Sequence, residues 1–174
     1  MSFVASFPPI ARFDALICIL GSMPGRASLD AAQYYAHPRN AFWPVLQSVL
    51  GIPRSLPYTE RLERLKERRV ALWDVLGSCA RNGSLDSNIE SSTIVPNDFA
   101  SFFAAHPHIE ALFFNGSKAE TVYRREVLPL LPESSRSLKL VRLPSTSPAH
   151  AGMNFEEKRK EWMSIERALD ENVR

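Results

Sequence analysis

Four short apolar runs, separated by longer segments with helical character, constrain the fold of this chain more than any other feature. The runs span residues 15–20, 70–75, 109–115 and 138–143, and they are rich in Ile, Leu, Val and Phe. They lack a clear alternation of polar and apolar residues, which is typical of strands buried on both faces in a parallel sheet. Alternation of such strands with helices predicts an α/β fold with a mainly parallel sheet.

The segments between these runs carry signals for helices and for helix starts. Two residue pairs have the spacing of a capping box, and one asparagine is placed to cap a helix after a proline. These are Ser117 with Glu120, Asn154 with Glu157, and Asn97 after Pro96. We predict helices within residues 40–50, 60–69, 97–106, 117–131 and 154–170.

The length and composition fit one globular domain over residues 1–174, with 45% apolar and 23% charged residues. No apolar run approaches the roughly 20 residues that a membrane-spanning helix needs, and the N-terminus lacks the basic segment of a secretory signal. Cys18 and Cys79 lie outside any paired-cysteine motif, so we expect reduced thiols, no metal site and a cytoplasmic location. Nothing indicates an obligate oligomer, so a monomer is expected.

The net charge of +2 neither requires nor excludes a nucleic-acid partner. A phosphate-binding surface would therefore have to be formed locally. The candidates are Arg26, Arg39, Arg81 and the basic segment 60–69.

Each apolar run is followed by a segment rich in small and polar residues. In an open α/β sheet, ligands bind at the carboxyl ends of the strands. We therefore expect these segments to meet at one edge of the sheet and to form the active site there. They are residues 21–30, 76–88, 115–117 and 144–152.

Two of the motifs allow both a structural and a functional interpretation. GSMPG at residues 21–25 can bring the backbone close to a ligand or form a plain turn, and it matches neither a dinucleotide nor a nucleotide-phosphate motif. YYAHPRNAFW at residues 34–43 offers aromatic faces for a base and Arg39 for a phosphate. Asn40 can equally be a helix cap, and Phe42 and Trp43 can equally be core residues.

Polar side chains in the other segments are also candidates. Asn115 ends the third run, and its carboxamide can pair with the amide edge of a lactam base or form a turn. The hydroxyls of residues 145–147, bracketed by prolines, can grip phosphate or form a rigid turn. Asp86 and Asn88 can orient polar partners or form an Asx-turn.

Together these segments resemble the uracil-DNA glycosylase superfamily, and within it the hypoxanthine-DNA glycosylase branch. The resemblance implies a three-layer α/β/α sandwich around a four-stranded, mainly parallel sheet. It also implies an enzyme that removes a deaminated base from double-stranded DNA by hydrolysing the N-glycosidic bond, with hypoxanthine as the target. The segments that carry it, in the family's order, are residues 21–25, 34–43, 72–89, 113–117 and 143–151.

The resemblance further implies roles for individual residues. Most branches position the attacking water with Asp or Asn at the third place of the first motif, where this chain has Met23. In the hypoxanthine branch the catalytic asparagine lies in an HPRN stretch. In this chain the HPRN stretch spans residues 37–40, so the role falls to Asn40. Asn115 matches the asparagine that reads the everted base, and residues 144–150 match the loop that inserts into DNA. Base binding is thus expected from Gly21, Ser22, Met23, Phe42 and Asn115, and DNA binding from Pro24, Gly25, Arg39, Ser145, Thr146, Ser147 and His150.

The implied chemistry is compatible with an asparagine as the central residue. Cleavage of a glycosidic bond passes through an oxocarbenium-like state, so the site must stabilise the departing base and hold a water near C1′. Asn40 can hold the water and Asn115 can bind the base. The reaction needs no metal or organic cofactor, and none is expected.

Three alternatives remain open at this point. A uracil or mismatch glycosylase could use the same scaffold. A non-catalytic DNA-binding module is a second possibility, because Met23 stands in the water-positioning place. A small-molecule hydrolase could be assembled from Ser147, His150 and Asp86.

Overall fold

The computed structural model describes residues 2–171, which contain seven strands and eight α-helices. The strands are β1 (Ser2–Ala5), β2 (Ile17–Gly21), β3 (Val70–Asp74), β4 (Leu76–Arg81), β5 (Val95–Pro96), β6 (Ala111–Asn115) and β7 (Lys139–Leu143). The helices are α1 (Arg26–Ala31), α2 (Phe42–Leu50), α3 (Tyr58–Glu67), α4 (Phe99–Ala105), α5 (Ser117–Val122), α6 (Glu133–Arg136), α7 (Phe155–Trp162) and α8 (Ser164–Glu171).

The four apolar runs form the four strands of one parallel sheet, in the order β3-β2-β6-β7. Every residue of β2 and β3 is buried, as the absence of polar alternation predicted. The α/β fold with a central parallel sheet is therefore confirmed. All four strands run in the same direction, so their carboxyl ends lie along one edge.

Two apolar cores lie on opposite faces of this sheet, because neighbouring side chains of a strand point to opposite faces. In β2, Cys18 and Leu20 belong to one core, which α4 and α5 cover. Ile17 and Ile19 belong to the other core, which α2, α3, α7 and α8 cover. The result is the three-layer α/β/α arrangement that the resemblance implied.

A second, antiparallel sheet was not predicted. It has the strand order β1-β4-β5 and pairs residues 2–5 with residues 78–81. Residues 76–88 were expected to be a loop after β3, but their first half is strand β4. This strand contains Gly, Ser, Cys and Arg, so no apolar pattern marks it.

Helix starts follow the sequence signals only in part. Asn154 and Glu157 form the predicted capping box at the start of α7. The cap of α4 is Asp98 rather than Asn97, whose side chain donates to the Asp74 backbone oxygen instead. Ser117 does not cap α5, because the helix begins at Ser117 and Gly116 occupies the cap position.

None of the helices within residues 2–171 is long and apolar enough to cross a membrane. Cys18 and Cys79 are free and buried, in agreement with the expected reduced thiols.

Candidate active site

A cavity of about 690 Å³ opens at the carboxyl ends of the central strands. The segments that follow β2, β6 and β7 all contribute to its wall, together with the end of β3 and the HPRN stretch. Of the residues proposed from sequence, the cavity brings together Gly21, Ser22, Met23, Pro24, Gly25, Arg39, Asn40, Asn115, Ser145, Thr146, Ser147 and His150.

Thr146 lies between the two asparagines that the sequence singled out, bonded to Asn115 and to the neighbour of Asn40. Its backbone oxygen accepts a hydrogen bond from the Ala41 backbone N–H at 2.9 Å, directly beside Asn40. Its backbone N–H and its Oγ1 both bond to the side chain of Asn115, each at 2.9 Å. Thr146 therefore bridges Asn115 to the residue that follows Asn40, and both asparagines line the same cavity. Thr146 is only 1% exposed, so its side chain is a buried bridge rather than the expected contact to DNA.

Asn40 does not cap α2 in the way the sequence suggested. The cap position belongs to Ala41, while Asn40 Oδ1 accepts from the Phe42 backbone N–H at 3.0 Å. This bond fixes the orientation of the carboxamide, because a backbone N–H can only donate and so must face the oxygen. Asn40 is half-buried and contributes to the cavity wall.

Phe42 was expected to bind the base, and the structure corrects this. Its side chain is fully buried in the core and is absent from the cavity wall. Tyr35 lies between it and the cavity, with the two rings stacked at a centroid distance of 3.8 Å. Tyr35 has a φ of 56°, a left-handed conformation that is uncommon for a bulky residue. No local sequence pattern marks such a conformation.

Asp74 was missed by the sequence reasoning. It ends β3 and contributes to the cavity wall, and it is 3% exposed. Its Oδ2 has no hydrogen-bond partner within residues 2–171. Burial raises the pKa of this carboxyl to about 8, with a further increase from the charge of Asp86 and an opposing effect of Arg81.

Asp86 lies in the same region and has a defined partner. Its Oδ1 accepts a hydrogen bond from Ser22 Oγ at 2.7 Å. Burial raises its pKa as well, although the Ser22 hydrogen bond and the charges of Arg81 and Lys118 oppose the shift. Ser22, expected to bind the base, therefore also orients Asp86. Asn88 lies outside the cavity wall and donates to the Asn82 backbone oxygen.

Arg81 and residues 60–69 were candidates for binding phosphate, and the structure supports neither. Arg81 is 1% exposed, and its guanidinium donates to the Pro24 backbone oxygen at 2.5 Å. None of residues 60–69, all of which the structure describes, contributes to the cavity wall. Two of their cations form ion pairs within α3 instead, Arg64 with Glu67 and Lys66 with Glu63.

The mouth of the cavity carries several basic side chains. Arg26 and Arg39 are exposed, His150 is exposed, and Lys118 is half-buried. These groups can contact phosphates that flank a bound nucleotide. In the described part of the chain no group of His, Cys, Asp and Glu residues is arranged to hold a metal ion.

The Ser–His–Asp arrangement that the sequence allowed on paper is not formed. Ser147 Oγ accepts from the Ala149 backbone N–H, and Asp86 is bonded to Ser22. A hydrolase triad requires its serine, histidine and acid to be joined by side-chain hydrogen bonds. Within residues 2–171, no such bond joins Ser147, His150 and Asp86.

Comparisons with known proteins agree on one family. The model of the Uracil DNA glycosylase superfamily matches residues 8–167. A protein of Methanosarcina acetivorans, named hypoxanthine DNA glycosylase, is 34% identical over 160 residues, covering 91% of this chain and 95% of that protein. A hypoxanthine DNA glycosylase of Methanosarcina barkeri is 40% identical over 114 residues, covering 65% of this chain and 71% of that protein.

A solved structure resembles this chain over nearly its full length. It is a solution NMR structure from Methanosarcina acetivorans, described as a candidate uracil DNA glycosylase. The TM-score is 0.77 at 31% sequence identity, and the match covers 97% of this chain and 99% of that one.

Proposed function

The chain belongs to the uracil DNA glycosylase superfamily, and on this basis we propose that it is a DNA glycosylase that removes hypoxanthine from duplex DNA. Two relatives at 34% and 40% identity carry the name hypoxanthine DNA glycosylase. The reaction is hydrolysis of the N-glycosidic bond between the deaminated base and its deoxyribose.

The observation that carries this proposal is the bridge that Thr146 makes between Asn115 and Ala41, the residue after Asn40. It places one carboxamide from the HPRN stretch and one from the end of β6 on the wall of a single cavity. Hydrolysis needs two polar contacts of this kind, one for the water and one for the leaving base. We assign the water to Asn40 and the base to Asn115.

The cavity suits an everted nucleotide. Its volume of about 690 Å³ lies within the range of roughly 300–1,000 Å³ that is usual for small-ligand pockets. Enzymes that act on a base rotate it out of the duplex into such a pocket, at a cost of about a few kcal/mol that is lowest for a poorly paired base. Hypoxanthine pairs poorly, which favours its selection.

The basic mouth supports duplex DNA as the partner. Arg26, Arg39 and His150 surround the opening, where the backbone on either side of an everted nucleotide would lie. The guanidinium groups of Arg26 and Arg39 can bind phosphate there without reading sequence. Ser145 and Ser147 are half-buried on the same wall and can add hydroxyl contacts.

Uracil is the second candidate base. The family is named for it, and the solved structure that resembles this chain is described as a candidate uracil DNA glycosylase. A uracil-specific pocket and a hypoxanthine-specific pocket differ in the space available to the second ring of the purine.

The test is incubation of the purified protein with duplexes that carry hypoxanthine, uracil or xanthine, followed by alkaline cleavage of abasic sites. We expect strand breaks at hypoxanthine, and fewer or none at uracil and xanthine. Breaks at uracil alone would replace hypoxanthine with uracil as the substrate. Intact strands on every substrate would reject the glycosylase function altogether.

A further inference from the structure

Asp74 combines three features that rarely occur together in a residue with a purely structural role. It is a carboxyl group, its side chain is almost completely buried, and its Oδ2 has no hydrogen-bond partner within residues 2–171. Buried polar groups are nearly always hydrogen-bonded, because an unpaired one costs free energy. The side chain contributes to the cavity wall, so a bound molecule can supply the missing partner.

Gly21 leaves room for the side chains of Asp74 and Tyr35 because it has no side chain of its own. A Cβ at Gly21 would lie 2.5 Å from Asp74 Oδ1 and 2.9 Å from the Tyr35 hydroxyl. Real Cβ atoms do not approach other atoms so closely, so only glycine allows both groups their positions. The Tyr35 hydroxyl is also buried without a partner in the described part of the chain. The cavity wall thus presents the Asp74 carboxyl beside the Tyr35 hydroxyl, and Asn115 lies close enough to interact with that hydroxyl.

The surroundings favour the neutral form of the Asp74 carboxyl. Burial is the largest cause of its raised pKa, which is about 8, and the negative charge of Asp86 adds to it. Arg81 is the nearby cation that opposes the shift. The other titratable groups facing Asp74 are Tyr34, Tyr35 and Cys18, whose pKa values burial raises, so they are uncharged at neutral pH.

A neutral carboxyl can do what neither asparagine of the site can do, which is to give up a proton. Departure of a purine leaves an electron pair on the base, and a proton delivered to a ring nitrogen stabilises that charge. Building on the proposed function, we propose that Asp74 is a catalytic residue that acts as the general acid toward the everted hypoxanthine. Its carboxyl proton passes to a ring nitrogen as the C1′–N9 bond breaks.

The step balances without any further reactant. The electron pair of the C1′–N9 bond goes to the base, which leaves as neutral hypoxanthine after taking the Asp74 proton. Water held by Asn40 adds its oxygen to C1′, and the proton it loses returns to the Asp74 carboxylate. The products are free hypoxanthine and an abasic deoxyribose, and the enzyme is restored to its starting state.

The first test is Asp74→Asn, which keeps the size and a hydrogen-bond donor but removes the transferable proton. We expect single-turnover release of hypoxanthine to slow by about 10²-fold or more, as is typical for loss of a general acid. Thermal unfolding and binding to an abasic-site duplex should show a folded, DNA-binding protein. The matched control is Asp98→Asn, the same substitution at an exposed helix cap where asparagine serves equally well.

The second test is the pH dependence of the single-turnover rate. The wild-type rate should fall as pH rises through about 8, where Asp74 loses its proton. This fall in rate, the alkaline limb of the pH profile, should be absent in Asp74→Asn on the same substrate. In Asp86→Asn the limb should move to lower pH, because one negative charge that raises the pKa of Asp74 is gone. A merely structural role for Asp74 would not move the limb in either variant.

The outcomes separate this inference from the proposed function. If the wild type releases no hypoxanthine at any pH, both proposals fall. If the wild type is active and Asp74→Asn matches its rate and pH profile, the general-acid role alone is overturned. Full activity in Asp74→Asn together with loss of activity in Asp74→Ala would also overturn proton transfer, since an amide would then suffice.

Discussion

Asn115 and Thr146 hold each other through two hydrogen bonds at the end of the central sheet. Asn115 Nδ2 donates to Thr146 Oγ1, and the Thr146 backbone N–H donates to Asn115 Oδ1, each at 2.9 Å. The backbone donor fixes which end of the carboxamide is the oxygen. The second hydrogen of Nδ2 and the second lone pair of Oδ1 can pair with one edge of a lactam base.

We therefore expect Asn115→Ala to reduce the preference for hypoxanthine over adenine in a competition assay. The side chain provides a donor and an acceptor to the base, so its removal takes away the contacts that distinguish the hydrogen-bonding edges of hypoxanthine and adenine.

Thr146→Val removes one hydrogen bond to the Asn115 carboxamide and should lower kcat/KM by about tenfold, the effect of one hydrogen bond. Thr121→Val, at an exposed helical position, is the control. Unchanged preference in Asn115→Ala would remove this residue from base recognition.

Gly21→Ala should disable the site while leaving the fold intact. The new methyl group would lie 2.5 Å from Asp74 Oδ1 and 2.9 Å from the Tyr35 hydroxyl, so both side chains must move. We expect kcat to fall by about 10²-fold, the usual cost of one misplaced polar contact to a transition state. Gly152→Ala, whose added methyl would meet open space, should keep the wild-type rate. Equal rates for both variants would contradict this role for Gly21.

Phe42→Leu tests whether this ring belongs to the core or to base recognition. The ring is fully buried and stacks on Tyr35 at 3.8 Å. We expect the free energy of unfolding, measured by denaturant titration, to fall by about 2 kcal/mol because packing is lost. The ratio of hypoxanthine to uracil cleavage should not change. A changed ratio of hypoxanthine to uracil cleavage at unchanged stability would show that Phe42 takes part in base recognition.

The raised pKa of Asp74 also predicts a pH-dependent stability. The carboxyl keeps its proton in the folded state up to a pKa of about 8 but loses it near 3.8 when unfolded. The unfolded state therefore binds fewer protons between these values, and the wild type loses stability as pH rises from about 4 to about 8, on the order of a few kcal/mol. Asp74→Asn lacks this contribution, so its Tm should rise relative to wild type as pH increases. A constant difference in Tm from about pH 5 to about pH 8.5 would contradict the shifted pKa.

The central sheet could be predicted from sequence because burial on both faces leaves a strong local signature. Each apolar run became a strand, and the parallel topology then placed the following segments at one edge. Strand β4 carries no such signature and owes its existence to pairing with residues 2–5, which are distant in sequence. Non-local pairing of this kind cannot be read from composition.

Within the site, the sequence identified side chains but not their environments. Asp74 sits in an apolar run, so it was interpreted as part of a strand, and only the structure shows that its carboxyl contributes to the cavity wall. Tyr35 and Phe42 are both aromatic residues of one motif, and only the structure shows that Tyr35 lines the cavity while Phe42 is buried in the core. The sequence also does not show whether an arginine is exposed or buried, and Arg81, a candidate phosphate contact, is buried.

Chromatography of the free hypoxanthine released from a hypoxanthine-containing duplex, with wild type and Asn40→Ala side by side, tests the proposed function most directly. We expect the wild type to release one base for each abasic site formed. Asn40→Ala should be at least about 10²-fold slower at equal duplex affinity, because the water near C1′ is no longer held. Asn82→Ala, an exposed asparagine outside the cavity, should match the wild type. Release by Asn40→Ala at the wild-type rate, or no release by the wild type, would contradict the account.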